Sequence, residues 1–153
     1  MSATRSPGMP YVLEPEVAGG LGEGSVLDTS VHPPLLSRLE YEVMDWQGDD
    51  LISSFPVYLV SPRLLAAIEA TRLTGFTVNP NCRVTVDEQC RDEVQGSGVL
   101  AFTWIDIHGA VGDDLHITSD LLLGVSDRAW AVISSFTLNR CDVRGAGLDN
   151  EGA

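Results

Sequence analysis

The 153-residue sequence contains no lysine, so all nine of its basic residues are arginine. Against these nine stand 22 acidic residues, which give the chain a formal net charge of −13. A chain of this charge repels the phosphate backbone, which argues against nucleic acid as a partner. The same charge attracts basic proteins, and we expect a partner with a basic surface.

Long apolar runs are also missing. No window approaches the roughly 18 uninterrupted apolar residues of a transmembrane helix. The segment from Met1 to Pro10 has one arginine and no apolar core, unlike a signal peptide. We therefore predict a cytoplasmic protein that does not contact a membrane.

Cysteine is scarce, and its three copies (Cys82, Cys90 and Cys141) form no close pair in the sequence. An odd count without close spacing is typical of free thiols in a reducing compartment. Cys82 and Cys141 occupy equivalent positions in the repeat described below, which favours a packing role for both.

Catalytic motifs are absent as well. Ser61 and Ser126 each follow an apolar run, but neither lies in a Gly-x-Ser-x-Gly nucleophile motif. The histidines His32, His108 and His116 do not have the His-x-x-x-His spacing of a metal site. We predict no catalytic residue, no metal and no cofactor, and hence not an enzyme.

Two adjacent acidic pairs, Asp49-Asp50 and Asp113-Asp114, are the best candidates for a metal site. Paired carboxylates can bind a hard cation, and two histidines flank the second pair. A small metal-dependent enzyme is therefore the least favoured alternative. The chain lacks a calcium-loop pattern, and adjacent acids are typical of an exposed turn, so the repetition favours a shared turn structure.

An internal repeat organises the chain. Each copy contains an acidic turn, an apolar strand followed by serine, and a Phe-Thr-x-Asn segment, in the same order. The matching segments are 48–51 with 112–115, 57–65 with 122–130, and 76–79 with 136–139. Each copy predicts a strand, a capped helix and a second strand.

Local chemistry supports this reading of both copies. Ser61 and Ser126 suit the N-cap position, where a hydroxyl accepts a bond from an unpaired helix N–H. Pro62 fits the first helical position, where its missing N–H costs nothing. Gly75 is predicted to end the first helix.

We predict a single α+β domain over residues 11–143, with a mixed β-sheet and two repeated strand–helix–strand units packed by their helices. The units span 48–86 and 112–143. Residues 1–10 are predicted to form a flexible arm and residues 144–153 a flexible tail. Between the units, Val99 to Ile107 is the most β-prone window and is predicted to form a central strand.

These features resemble a broad group of bacterial immunity proteins, which are encoded beside polymorphic toxins and protect the producing cell from its own toxin. The likeness covers residues 11–86 and is echoed over 112–143. The matching residues are Tyr11-Val12-Leu13, Asp50-Leu51, Val60-Ser61-Pro62-Arg63-Leu64 and Leu73-Thr74-Gly75-Phe76.

The resemblance implies an immunity protein that binds a cognate bacterial toxin and occludes its active or substrate-binding surface. An acidic interaction or regulatory module without a link to a toxin is the main alternative. Charge clustering near the predicted turns places the contact surface, with Trp46 as an aromatic anchor. The predicted contact residues are Trp46, Asp49, Asp50, Asp87, Glu88, Asp92, Glu93, Asp113 and Asp114. Apolar edge strands can pair between chains, so a homodimer is also compatible with the sequence.

Overall fold

A computed structural model of the chain describes residues 11–32, 34–90, 98–110 and 112–145. Two α-helices, α1 (Pro62–Thr71) and α2 (Asp127–Ile133), and two short 3-10 helices (Glu88–Cys90 and Val99–Ala101) lie within them. The strands are β1 (Tyr11–Glu14), β2 (Gly19–Leu21), β3 (Val26–Asp28), β4 (Leu35–Val43), β5 (Leu51–Ser54), β6 (Val57–Val60), β7 (Phe76–Asn79), β8 (Cys82–Val86), β9 (Thr103–Ile107), β10 (Leu115–Ile117), β11 (Leu123–Val125) and β12 (Asp142–Gly145).

The described strands form three sheets, so the predicted α+β class is confirmed but the single mixed sheet is wrong. The central sheet has the order β5-β6-β9-β7, and the terminal sheet has the order β10-β11-β1-β12. The outer sheet has the order β2-β4-β3, with β8 paired in parallel to β4. Of the described helices, none is long and apolar enough to cross a membrane.

The central sheet is covered on both faces, which explains why the sequence of β6 is apolar at every position. Tyr58 and Val60 point into a core shared with both helices and the terminal sheet. Val57 and Leu59 point into a second core shared with the outer sheet. Successive side chains of a strand face opposite ways, so one apolar strand serves two cores.

Each unit is completed by a strand from outside it. β9 lies between β6 and β7 and runs antiparallel to both. β1 lies in the same way between β11 and β12. A strand from before the first unit therefore completes the sheet of the second, and the strand between the units completes the sheet of the first. The predicted central strand over Val99 to Ile107 is confirmed for Thr103–Ile107, which forms β9, whereas Val99–Ala101 forms a 3-10 helix.

Both helices begin as the sequence predicts. The hydroxyl of Ser61 accepts a hydrogen bond from Leu64 N, and the hydroxyl of Ser126 accepts one from Ala129 N. The first helix ends earlier than predicted, because Arg72 takes the left-handed conformation with φ 58°.

Gly75 has a different role from the predicted helix end. Its φ is +102°, and a Cβ at this position would lie 2.0 Å from the carbonyl oxygen of Leu115. Thr74 O also accepts a hydrogen bond from Leu115 N at 2.9 Å. Gly75 is therefore required where the two units approach each other closely.

The outer sheet forms one wall of the second core. Leu39, Tyr41 and Val43 of β4 are fully buried, as their alternation with polar residues predicts. The preceding segment is rich in glycine, proline and acids, a composition typical of an irregular loop, yet it supplies β2 and β3, which pair with β4. The predicted arm at 1–10 lies outside the described residues. Of the predicted tail at 144–153, Arg144 and Gly145 instead belong to β12, and 146–153 lie outside the described residues.

Two of the cysteines are free thiols and half-buried, as predicted. Burial raises the pKa of Cys82 to about 11 and that of Cys141 to about 12. Both side chains pack against the hydrophobic cores, which fits a packing role. The side chain of Cys90 lies outside the described set.

Candidate functional site

Asp50 lies at the centre of the first of two matching networks. Its carboxylate accepts hydrogen bonds from Ser61 Oγ at 2.6 Å, Arg63 Nη2 at 2.6 Å and Thr137 N at 2.9 Å. Burial pushes the pKa of Asp50 upward, but the bonds from Arg63, Ser61 and Thr137 outweigh it and hold the pKa below its usual value. The carboxylate is therefore ionised and fully engaged inside the molecule.

Asp114 has the same surroundings in the second unit. Its carboxylate accepts hydrogen bonds from Ser126 Oγ at 2.7 Å, Arg128 Nη2 at 2.8 Å and Thr74 N at 2.9 Å. Burial again opposes ionisation, yet the bonds from Arg128, Ser126 and Thr74 lower the pKa of Asp114 to about 2. The serine and arginine of each Ser-x-Arg segment thus bind an aspartate of the chain itself rather than a ligand.

The networks join the two units. Asp50 binds the backbone of Thr137 in the second unit, whereas Asp114 binds the backbone of Thr74 in the first. Arg128 also donates to the carbonyl oxygens of Thr71 and Arg72 at the end of α1, at 3.0 Å each. Unpaired carbonyls at a helix end favour such a cation. Both aspartates therefore have a structural role at the junction.

Asp49 is also turned inward. It is 0% exposed and accepts hydrogen bonds from Asn139 N at 2.7 Å and Arg140 N at 2.8 Å. Glu16 lies close to it and accepts a bond from Gln47 N at 2.7 Å, while its Oε1 atom has no partner among the described residues. Burial raises the pKa of Glu16, although the hydrogen bond from Gln47 acts to lower it. The negative charge of Asp49 raises the pKa further.

The prediction of exposed acidic turns is therefore wrong for three of the proposed contact residues. Asp49, Asp50 and Asp114 are at most 8% exposed, and their oxygens are occupied by internal hydrogen bonds. Adjacent acids look alike in sequence whether they face water or the chain's own unpaired N–H groups. These three aspartates are not available to a partner protein in this structure.

Other members of the predicted set gather at one end of the outer sheet. Asp87 N donates to Val43 O at 2.9 Å, which joins the ends of β8 and β4. Asp45 and Trp46 follow β4 directly, and Glu88 follows Asp87. Asp45 and Glu88 are exposed, and Asp87 and Trp46 are half-buried. We call Asp45, Trp46, Asp87 and Glu88 the acidic end.

Asp45 was missed at the sequence level, although it directly precedes Trp46 and shares its charge with the rest of the cluster. Asp113 was included but lies elsewhere, beside Gly75 and Gly109, where it accepts a hydrogen bond from Ala110 N at 2.9 Å. Asp92 and Glu93 fall outside the described residues.

Trp46 is held rigidly within the acidic end. Its Nε1 atom donates to the carbonyl oxygen of Asp49 at 2.9 Å. Its ring meets that of Phe102 edge-on, with a centroid distance of 5.6 Å and an interplanar angle of 81°. A fixed, half-exposed aromatic ring in an acidic cluster has the features of an interface anchor.

The histidines do not assemble into a metal or acid–base site. His108 is exposed, whereas His116 is 3% exposed and burial lowers its pKa despite the charge of Asp113. Asp114, the nearest candidate partner in the sequence, is occupied by Arg128. Across the described ranges, no group of three or more histidine, cysteine or acidic side chains converges to hold a metal ion.

The acidic end therefore groups carboxylates with one half-exposed tryptophan, an arrangement that can bind a complementary surface. No protein-family model matches the chain, and no curated protein matches it significantly.

Proposed function

We propose that this chain is an immunity protein that binds a cognate bacterial toxin and neutralises it by covering its active or substrate-binding surface. The observation that carries the proposal is the acidic end, where Asp45, Asp87 and Glu88 gather with the fixed ring of Trp46 at one end of the outer sheet. That the partner is a toxin is inferred from the resemblance of the sequence to immunity proteins. That the covered surface is basic is inferred from the negative charge of this chain.

Charge complementarity supports this choice. The chain carries −13, while several of its most buried carboxylates are already engaged by internal donors. The carboxylates left on the surface produce the field that a partner meets. Such a field steers a basic protein and speeds association, which suits an inhibitor that must act before its target does.

The rigidity of the acidic end also supports a role in binding a partner protein. A binding surface that is already ordered loses little conformational freedom when it meets a partner. Trp46 is fixed by Asp49 O and Phe102, and Asp87 is fixed by Val43 O. The acidic end therefore presents its contacts in a set arrangement.

An acidic interaction or regulatory module without a toxin would use the same surface. The two functions differ in what is bound, so the test must identify the partner and its effect on cells. A metal-dependent enzyme has no support from the described residues beyond the spacing of its histidines and aspartates.

The experiment is a pull-down from lysate of the native host with three baits. The first is the wild-type chain, and the second carries Asp45→Arg, Asp87→Arg and Glu88→Arg. The third is a matched control with Glu23→Arg, Glu69→Arg and Asp120→Arg, which changes the net charge equally at exposed positions away from the acidic end.

We expect the wild type and the control to recover one stoichiometric protein with a basic surface, and the acidic-end variant to lose it. Expression of the recovered protein alone should then be toxic to a bacterial host. Equal recovery by all three baits would contradict the acidic end as the contact surface. A recovered partner that is harmless to cells would favour the regulatory module.

A further inference from the structure

A groove of about 450 Å³ lies at the opposite end of β4 from the acidic end. β4 places about 26 Å between its two ends, at roughly 3.3 Å per residue. The groove lies between the start of β4, the turn joining β5 to β6, and β9. Its lining includes Leu35, Leu36, Phe55, Trp104, Asp106 and Ile107.

Large apolar side chains extend from the groove onto its rim. Leu35 is 61% exposed and Phe55 is 52% exposed. Val31, close in sequence to Leu35, is 42% exposed, and the ring of His32 lies 6.1 Å from that of Phe55. Contiguous exposed apolar surface of this kind marks an interaction site.

One charged group lies inside this apolar surface. Asp106 Oδ2 accepts a hydrogen bond from Asn79 Nδ2 at 2.9 Å, and its other oxygen has no partner among the described residues. The groove's described lining contains no arginine, and His108 is its one side chain that can take a positive charge. The side chain that best complements the groove therefore combines apolar surface with a positive charge.

We propose that the groove docks a segment of a partner protein in which an arginine or lysine stands beside a large apolar residue. The apolar side chain enters the groove next to Trp104 and Phe55, and the cation binds Asp106. A second copy of this chain fits poorly, because each copy carries −13 and the two would repel. A chain segment covers both the groove and the rim at Leu35, which a small molecule inside the groove would leave exposed.

The test uses a phage-displayed library of random short peptides selected against the immobilised full-length protein. We expect enriched peptides to contain an arginine or lysine adjacent to Leu, Phe or Trp. Their affinity, measured by fluorescence anisotropy, should fall at least about tenfold in Asp106→Asn, since a charge-assisted hydrogen bond is lost. Phe55→Ser should weaken binding independently of charge.

Glu69→Gln, on the exposed face of α1, removes one charge outside the groove and should leave affinity unchanged. Circular dichroism establishes that each variant is folded. Failure to enrich any peptide would overturn the proposal, as would enriched peptides that bind Asp106→Asn as tightly as the wild type. Peptides whose binding is lost only on reversal of Asp87 and Glu88 would place the interaction at the acidic end and would also overturn it.

Discussion

Individual acidic residues of this chain differ sharply in what surrounds their carboxylates. At Asp50 and Asp114, the hydrogen bonds that favour the ionised carboxylate outweigh the opposing effect of burial, so the pKa of each is lowered. At Glu16, burial outweighs the backbone hydrogen bonds, and the neighbouring carboxylate of Asp49 opposes ionisation as well, so the pKa is raised. The sequence shows an acid at each position and does not show the donors, because these come from segments distant in the chain.

Replacing Glu16 with glutamine should stabilise the protein near neutral pH. Because the folded-state pKa of Glu16 lies above its unfolded value, its stabilising contribution is present below the unfolded pKa and is lost as pH rises through the folded pKa. Glutamine keeps an acceptor for Gln47 N without the buried charge. Urea denaturation at several pH values measures the free energy of unfolding.

The matched control for this change is Glu23→Gln, an exposed glutamate. Its free energy of unfolding should stay close to that of the wild type. If Glu16→Gln were less stable than the wild type at pH 7, the ionised form of Glu16 would be the one the fold favours.

Asp114→Asn should lower the free energy of unfolding by about 2 kcal/mol, since hydrogen bonds to a charged group are lost while Arg128 keeps access to water. The folded-state pKa of Asp114 is about 2 against 3.8 for an ordinary aspartate. Its contribution is therefore present above the unfolded pKa and is lost as pH falls through the folded one. Between about pH 4 and pH 2, the variant should lose less stability than the wild type.

The control is Asp113→Asn, the adjacent residue, whose described hydrogen bond is a local one to Ala110 N. It should change the unfolding free energy much less. Equal losses in the two variants would show that the network around Asp114 does not join the units.

The strands and helices show where sequence patterns suffice and where they fail. Ser61 and Ser126 could be assigned as caps because a cap depends on neighbours a few residues away. β1 and β9 could be recognised as strands from their apolar residues. Their places in the two sheets could not, since strand order depends on pairings between distant segments. The burial of Asp49 likewise depends on distant residues, Asn139 and Arg140, whose N–H groups donate to it.

The close contact between the units can be tested at Gly75. Gly75→Ala should destabilise the protein strongly, because its φ of +102° disfavours alanine and the new Cβ would meet Leu115 O. Gly48 has φ +100° but open space around its Cβ position. Gly48→Ala should therefore cost only the conformational strain, about 1–2 kcal/mol. Thermal denaturation of both variants separates the effect of backbone strain from that of the steric clash with Leu115 O. Equal losses of stability in the two variants would show that the clash does not contribute.

On the scale of the whole molecule, the two candidate binding surfaces lie at opposite ends of β4. The acidic end lies where β4 finishes, and the apolar groove lies where β4 begins. The internal aspartates, which the sequence alone placed on the binding surface, instead hold the two units together. The candidate site was therefore predicted in part: Trp46, Asp87 and Glu88 are at the surface, and Asp45 completes them.

The most direct test of toxin neutralisation is survival of cells that express the recovered partner together with this chain. Wild-type protein and the control carrying Glu23→Arg, Glu69→Arg and Asp120→Arg should restore growth. The variant with Asp45→Arg, Asp87→Arg and Glu88→Arg should fail to do so at equal expression. Rescue by all three proteins would contradict the acidic end as the neutralising surface, and rescue by none would contradict the immunity function itself.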